Sequence, residues 1–199
     1  MKKLLVLFVV LLITAPVMAK DETLVKGRVD SDGFGGPVVK FTQINGEFAL
    51  LAGGRGGWII DHSFVLGGAG YGLVNNISVN ELADGSSPRF DLGYGGFEME
   101  YIHRSRKLVH FTLGALIGAG SVKYRDRDWH WGWLDDYDHS EDIFFVAEPS
   151  ANLMMNITTY FRVGIGASYR FVAGIEIEGL DEADLAGPSA IITMKFGSF

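Results

Sequence analysis

The chain has 199 residues, a formal net charge of −7 and no cysteine, so a disulfide framework and thiol chemistry are excluded. The acidic balance also excludes nucleic acid as a partner, because binding it takes a basic footprint. Hydrophobic residues make up 48% of the chain, and its 27 glycines fall inside the apolar segments rather than in linkers.

Residues 1–19, MKKLLVLFVVLLITAPVMA, have the order of a secretory signal. Lys2 and Lys3 form a basic start, Leu4 to Ile13 an apolar run, and Val17 and Ala19 supply the small residues of a cleavage site. The run is shorter than the roughly 20 apolar residues a membrane-spanning helix needs. No cysteine follows it, so a lipoprotein anchor is excluded. Cleavage after Ala19 removes two lysines and leaves a net charge of about −9.

A polar periplasmic lead follows over 20–32, and a single all-β domain over 33–199. Its strand candidates are Phe34 to Ile44, Glu47 to Ile60, Phe64 to Val79, Arg89 to Ile102, Leu108 to Tyr124, Ile143 to Met155, Tyr160 to Ile177 and Pro188 to Phe199. The seventh is the cleanest. Phe161, Val163, Ile165, Ala167, Tyr169 and Phe171 alternate with Arg162, Gly164, Gly166, Ser168 and Arg170, which gives a strand one greasy face and one small, polar face. The fifth segment sets Phe111, Leu113, Ala115 and Ile117 against His110, Thr112, Gly114 and Gly118, and the sixth and eighth alternate in the same way. Two prolines disturb the pattern: Pro37 predicts a strand end and Pro149 a bulge.

The connections supply independent evidence. After the tight Asn45-Gly46 turn they alternate between short (61–63, 103–107, 156–159) and long (80–88, 125–142, 178–187). Outer-membrane barrels have short periplasmic turns and longer external loops. With the N-terminus in the periplasm every long connection lies outside. A closed barrel also satisfies all backbone hydrogen bonds by pairing, so it crosses a membrane without a long apolar run. The pattern predicts a closed antiparallel up-and-down transmembrane β-barrel of about eight strands, greasy face toward lipid and small face toward the interior.

In signal, alternating strands, alternating connection lengths and terminal aromatic Phe199, the chain resembles the small eight-stranded bacterial outer-membrane β-barrel proteins. The stretch GFGGPVVKFTQINGEFALLAGGRGGWII is similar to barrel families described only as outer-membrane proteins. The chain departs from their pattern at its end: Ile192, Met194 and Phe196 are out of phase with Phe199, which a bulge or frayed end near Gly197 would reconcile.

The predicted inner face carries Lys40, Arg55, Glu98, Glu100, Glu148, Arg162, Arg170 and Lys195. Mixed signs allow pairing across the interior, and buried charge is tolerated only when paired and hydrogen-bonded. The two readings are an internal salt-bridge plug and a narrow ion path. The connection RDRDWHWGWLDDYDHSED places Trp129, Trp131 and Trp133 at every second residue among carboxylates. These rings either form part of an interfacial aromatic belt or stack on an extracellular glycan or protein. The carboxylates with His130 and His139 match no EF-hand spacing.

The turn His103-Arg104-Ser105-Arg106-Lys107 is basic where the outer loops are acidic; it is either a solvated turn or a contact for periplasmic phosphates or acidic proteins. GGRGG around Arg55 reads as strand, lacking the context of a phosphate loop. His62-Ser63 and His139-Ser140-Glu141 are adjacent residues that do not make a catalytic triad, so no enzyme activity and no cofactor are predicted. The expected protein is a monomer in outer-membrane lipid, acting through its external loops in adhesion, surface interaction or envelope integrity. The alternatives are a small pore for ions or apolar solutes, and a soluble periplasmic lipocalin-like barrel with the greasy face inward.

Overall fold

A computed structural model describes residues 31–78, 89–125, 141–177 and 179–199. The signal, most of the lead, and Trp129, Trp131 and Trp133 lie outside the described residues. The strands are β1 (Ser31–Ile44), β2 (Glu47–Ile60), β3 (Phe64–Leu73), β4 (Ile77–Ser78), β5 (Arg89–His103), β6 (Val109–Arg125), β7 (Glu141–Asn156), β8 (Phe161–Ala173) and β9 (Gly187–Gly197), with one helical turn, α1 (Glu182–Leu185).

Each long strand pairs antiparallel with its sequence neighbours, and the ends meet where β1 pairs β9. The result is a closed up-and-down barrel of eight long strands, with β4 a two-residue continuation beside β5. Following paired residues once round the wall leads from Ser31 through Ile60, Phe64, Tyr101, Leu113, Ala151, Ala167 and Ala190 back to β1 at Phe41, a stagger of ten residues. At about 3.3 Å per residue and about 4.8 Å between strands, that stagger tilts the strands by about 40° to the barrel axis.

The alternation seen in the sequence is the alternation of the wall. In β8, Ile165 is 61% exposed and Ser168 only 7%. Phe111, Leu113 and Ile117 of β6, Phe145 and Leu153 of β7, and Ile192 and Phe196 of β9 are likewise exposed. Aromatic pairs mark both ends of this apolar wall: Phe64–Tyr101 and Phe161–Phe196 toward the short turns, and Phe41–Phe48 and Tyr169–Phe171 toward the long connections. The Asn45-Gly46 hairpin has φ of 50° and 74°, the doubly positive backbone for which Asn-Gly is favoured.

Four boundary expectations are corrected. Pro37 does not end a strand; it lies inside β1 opposite Gly54. The β1–β9 ladder skips Gly36 and Pro37 and resumes in the same register, so the missing N–H costs local pairing without shifting the strand. Pro149 makes no bulge for the same reason: the β7–β8 ladder passes from Ala147↔Phe171 to Ser150↔Ser168 with register unchanged. The third strand stops at Leu73 rather than Val79, because the Asn75 side chain accepts from Leu50 N (2.7 Å) and donates to Phe48 O (2.8 Å) in place of a ladder partner. The seventh candidate stops at Ala173 rather than Ile177: Gly174 turns at φ 88°, and the Asp142 carboxylate accepts from the backbone N–H groups of Glu176 and Ile177.

Beyond that turn the described residues 174–177 and 179–186 fold into the barrel mouth instead of projecting from it. Ile177, Leu180 and Leu185 are buried against Ile44, Leu51, Phe90, Val122 and Phe144 of the wall. Asn45 N donates to Asp184 O (2.8 Å), and a capping box at Asp181 holds the single turn of α1. At the opposite end a smaller apolar group, Phe34, Ile59, Val65 and Ile102, is closed by Phe199. Strand β9 ends at Gly197, and two residues on, Phe199 turns to the interior side, in phase with Lys195. That is why the terminal aromatic is out of step with outward Ile192, Met194 and Phe196.

Candidate functional site

Between the two apolar groups lies a layer of charge. All eight predicted inner-face charges, Lys40, Arg55, Glu98, Glu100, Glu148, Arg162, Arg170 and Lys195, are buried. They sit on the phase of each strand that points inward, and inner-face glycines let the wall close around them. A Cβ on Gly96 would lie 2.6 Å from Gly118 Cα on the next strand, so that pair admits no side chain. A Cβ on Gly166 would meet the Asn152 amide, so there the glycine leaves space for a neighbouring side chain.

Two clusters emerge. Arg55 donates through Nε and Nη2 to both oxygens of Glu98 (3.0 Å each), and Nη2 also reaches Glu100 (2.6 Å). Glu100 takes a second donor, Lys195 Nζ, on its other oxygen. In the second cluster Lys40 Nζ donates to Glu148 (2.8 Å), which also accepts from Tyr94 Oη (2.7 Å) and the Ser168 hydroxyl. Lys40 lies over the Tyr71 ring at 3.4 Å.

Arg162 and Arg170 stand apart from these pairs. Arg162 stacks on Phe199, 3.9 Å from the ring centroid. Arg170, fully buried, donates through Nε to Leu185 O (2.7 Å), which ties the inturned segment to the charged layer. The space left among Lys40, Arg55, Tyr71, Glu98 and Glu148 is about 10 Å³, roughly room for one water.

Sequence reasoning missed the tyrosines. Tyr94 is two strand repeats before Glu98 on the same face, so counting back from the glutamates would have found it; Tyr71 shares the phase of Val65. It also missed the inturned segment, for which no period-two signal exists.

The fold defines a structural class: a small, closed, eight-stranded antiparallel barrel of the kind found in outer-membrane proteins. Among solved structures the chain is similar to the N-terminal β-barrel domain of Pseudomonas aeruginosa OprF (TM-score 0.52, 12% identity, 84% of this chain and 96% of that one). It is also similar to Neisserial surface protein A (TM-score 0.57, 11% identity, 87% and 100%). No protein-family model and no curated protein sequence matches the chain.

Proposed function

We propose that the chain is a non-enzymatic integral outer-membrane protein, exported by a signal cleaved after Ala19, monomeric, and acting through its external loops in adhesion, surface interaction or envelope integrity. The observation that carries the membrane reading is the inversion of the wall: Ile165, Phe171 and Phe145 face outward while eight charges face inward. In water that surface would be a large exposed apolar patch, whereas in lipid it is the solvated face. A soluble lipocalin-like container needs the opposite arrangement, an apolar lumen.

The interior is a plug rather than an ion path in this reading, supported by the paired clusters, the apolar groups at both ends and the small remaining space. The partner-binding surface is assigned to 125–142, where Trp129, Trp131 and Trp133 would stack on a glycan or grip a protein. Fractionation tests the location: the protein is expected in the outer-membrane fraction, extracted only by detergent. Recovery in the aqueous periplasmic fraction would overturn it. Replacing the three tryptophans with serine is expected to abolish capture of envelope glycans or matrix protein while leaving membrane insertion unchanged.

A further inference from the structure

We infer that the short-turn rim of the barrel binds one anionic phospholipid, with Arg104, Arg106 and Lys107 holding the phosphate and the wall at Leu108, Val109 and Phe111 receiving the adjoining chain. The inference rests on the membrane reading above and deepens it by naming a lipid class and a place.

The geometry joins two turns that are distant in sequence. Residues 61–63 and 104–107 together line an open pocket of about 490 Å³, in which the cations face His62, Ser63, Ser105 and one carboxylate, Asp61. Arg104, Arg106 and Lys107 are all exposed, and among the described residues none of the three makes an ion pair. His62, by contrast, already lies 3.8 Å from Asp32. The turn that displays the cations is fixed. Asn156 Nδ2 donates to the carbonyls of Ser105 and Lys107, each at 2.9 Å, and Lys107 N donates to Arg104 O at 2.9 Å. Arg104 is held at φ 56°, a backbone that a non-glycine residue adopts only when its surroundings impose it.

A free phosphate would need only this pocket. Next to it, sharing Arg104 and Lys107, runs a second depression of about 550 Å³, whose other lining includes Leu108, Val109 and Phe111 on the apolar wall. A charged pocket that shares Arg104 and Lys107 with a neighbouring apolar depression fits an amphiphile: a phosphate diester in the first and the start of an acyl chain in the second. The place is also right for a headgroup. Phe64 and Tyr101, 5.3 Å apart, mark the aromatic edge of the wall just inside these turns, the level at which such rings meet lipid headgroups.

The test uses the mature chain refolded in nanodiscs of phosphatidylcholine with a minor fraction of phosphatidylglycerol, its folding checked by heat-modifiable gel mobility. Retained lipid is counted by native mass spectrometry. Basic residues at a membrane surface each strengthen anionic-lipid binding severalfold, so phosphatidylglycerol should be retained over phosphatidylcholine by about tenfold. The triple variant Arg104→Asn, Arg106→Gln, Lys107→Gln should fall to within about twofold of no preference, Asn being chosen because it tolerates the left-handed backbone. Arg106→Gln alone should lose part of it, and Lys123→Gln, at the other end of β6, none. An unchanged preference in the triple variant would overturn the site. So would an equal loss from Lys123→Gln, which would make the preference a matter of overall charge. Displacement of the retained lipid by inorganic phosphate as readily as by short-chain phosphatidylglycerol would overturn the lipid assignment. Failure of the membrane reading shows separately, as protein that does not enter the discs.

Discussion

Glu100 accepts from Arg55 on one oxygen and from Lys195 on the other, deep in the charged layer. Replacing it with alanine leaves two buried cations short of a counter-charge, and breaking a buried pair by removing one partner costs about 3–5 kcal/mol. Glu100→Ala should therefore sharply lower the unfolding free energy read from the urea transition of the refolded barrel in micelles, whereas Lys123→Ala, at the half-exposed Lys123–Glu141 pair, should change that free energy by no more than about 1 kcal/mol. The eight interior charges were legible because period two assigns each strand position to a face. Who pairs with whom was not, since Lys40 and Glu148 are 108 residues apart and only barrel closure sets their distance. The same limit hid Phe199: its phase with Lys195 could be counted, but its role as a lid over Phe34 and Arg162 depends on where the opposite wall lies.

Among the elements, strand β8 carries the alternation most cleanly, and the lack of native cysteine makes it testable. Fluorophores attached to Ile165→Cys and Ser168→Cys in vesicles should differ: quenchers on lipid tails reach the first and are kept from the second by the wall. Equal quenching of two folded variants would remove the two-faced strand. The element the sequence concealed is 174–186. Its apolar residues, Ile177, Leu180 and Leu185, have neither strand nor full helical spacing, because they face the barrel mouth from an irregular backbone held by Asp142, Arg170 and Asn45. Leu185→Ala should cost about 2–5 kcal/mol, as truncation of a fully buried leucine does, read from the same urea transition. A solvated loop residue would give almost no change. The prolines teach a related point: each removes one donor, but the ladder on the other side of the strand keeps the register, so neither a break nor a bulge is required.

At the scale of the molecule, buried apolar groups lie toward both ends of the described interior, with an ionic layer between them, and the plugged reading proposed above rests on that filling. Planar bilayers containing the purified protein should show no steady conductance of porin size, and reproducible large channels would refute the plugged reading. The architecture was legible because strand period and connection length are local quantities, while the filling of the lumen is not. One arrangement inside that lumen bears on how the barrel forms. Its ion pairs join strands that are not ladder neighbours: Arg55 of β2 with Glu98 and Glu100 of β5, Lys40 of β1 with Glu148 of β7, and Lys195 of β9 with Glu100 of β5. Only β3 separates Arg55 from Glu98 and Glu100, but an open, partly zipped sheet holds Lys40 apart from Glu148 and Lys195 apart from Glu100, so those two pairs stabilise the protein only after the β1–β9 seam shuts. Interactions absent from the transition state act on escape from the native state rather than on arrival there. Neutralising Lys195, whose partner Glu100 comes within reach only on closure, should therefore leave the refolding rate nearly unchanged and speed unfolding by a factor that accounts for almost the whole loss, which makes this part of the ionic layer a latch on a finished barrel.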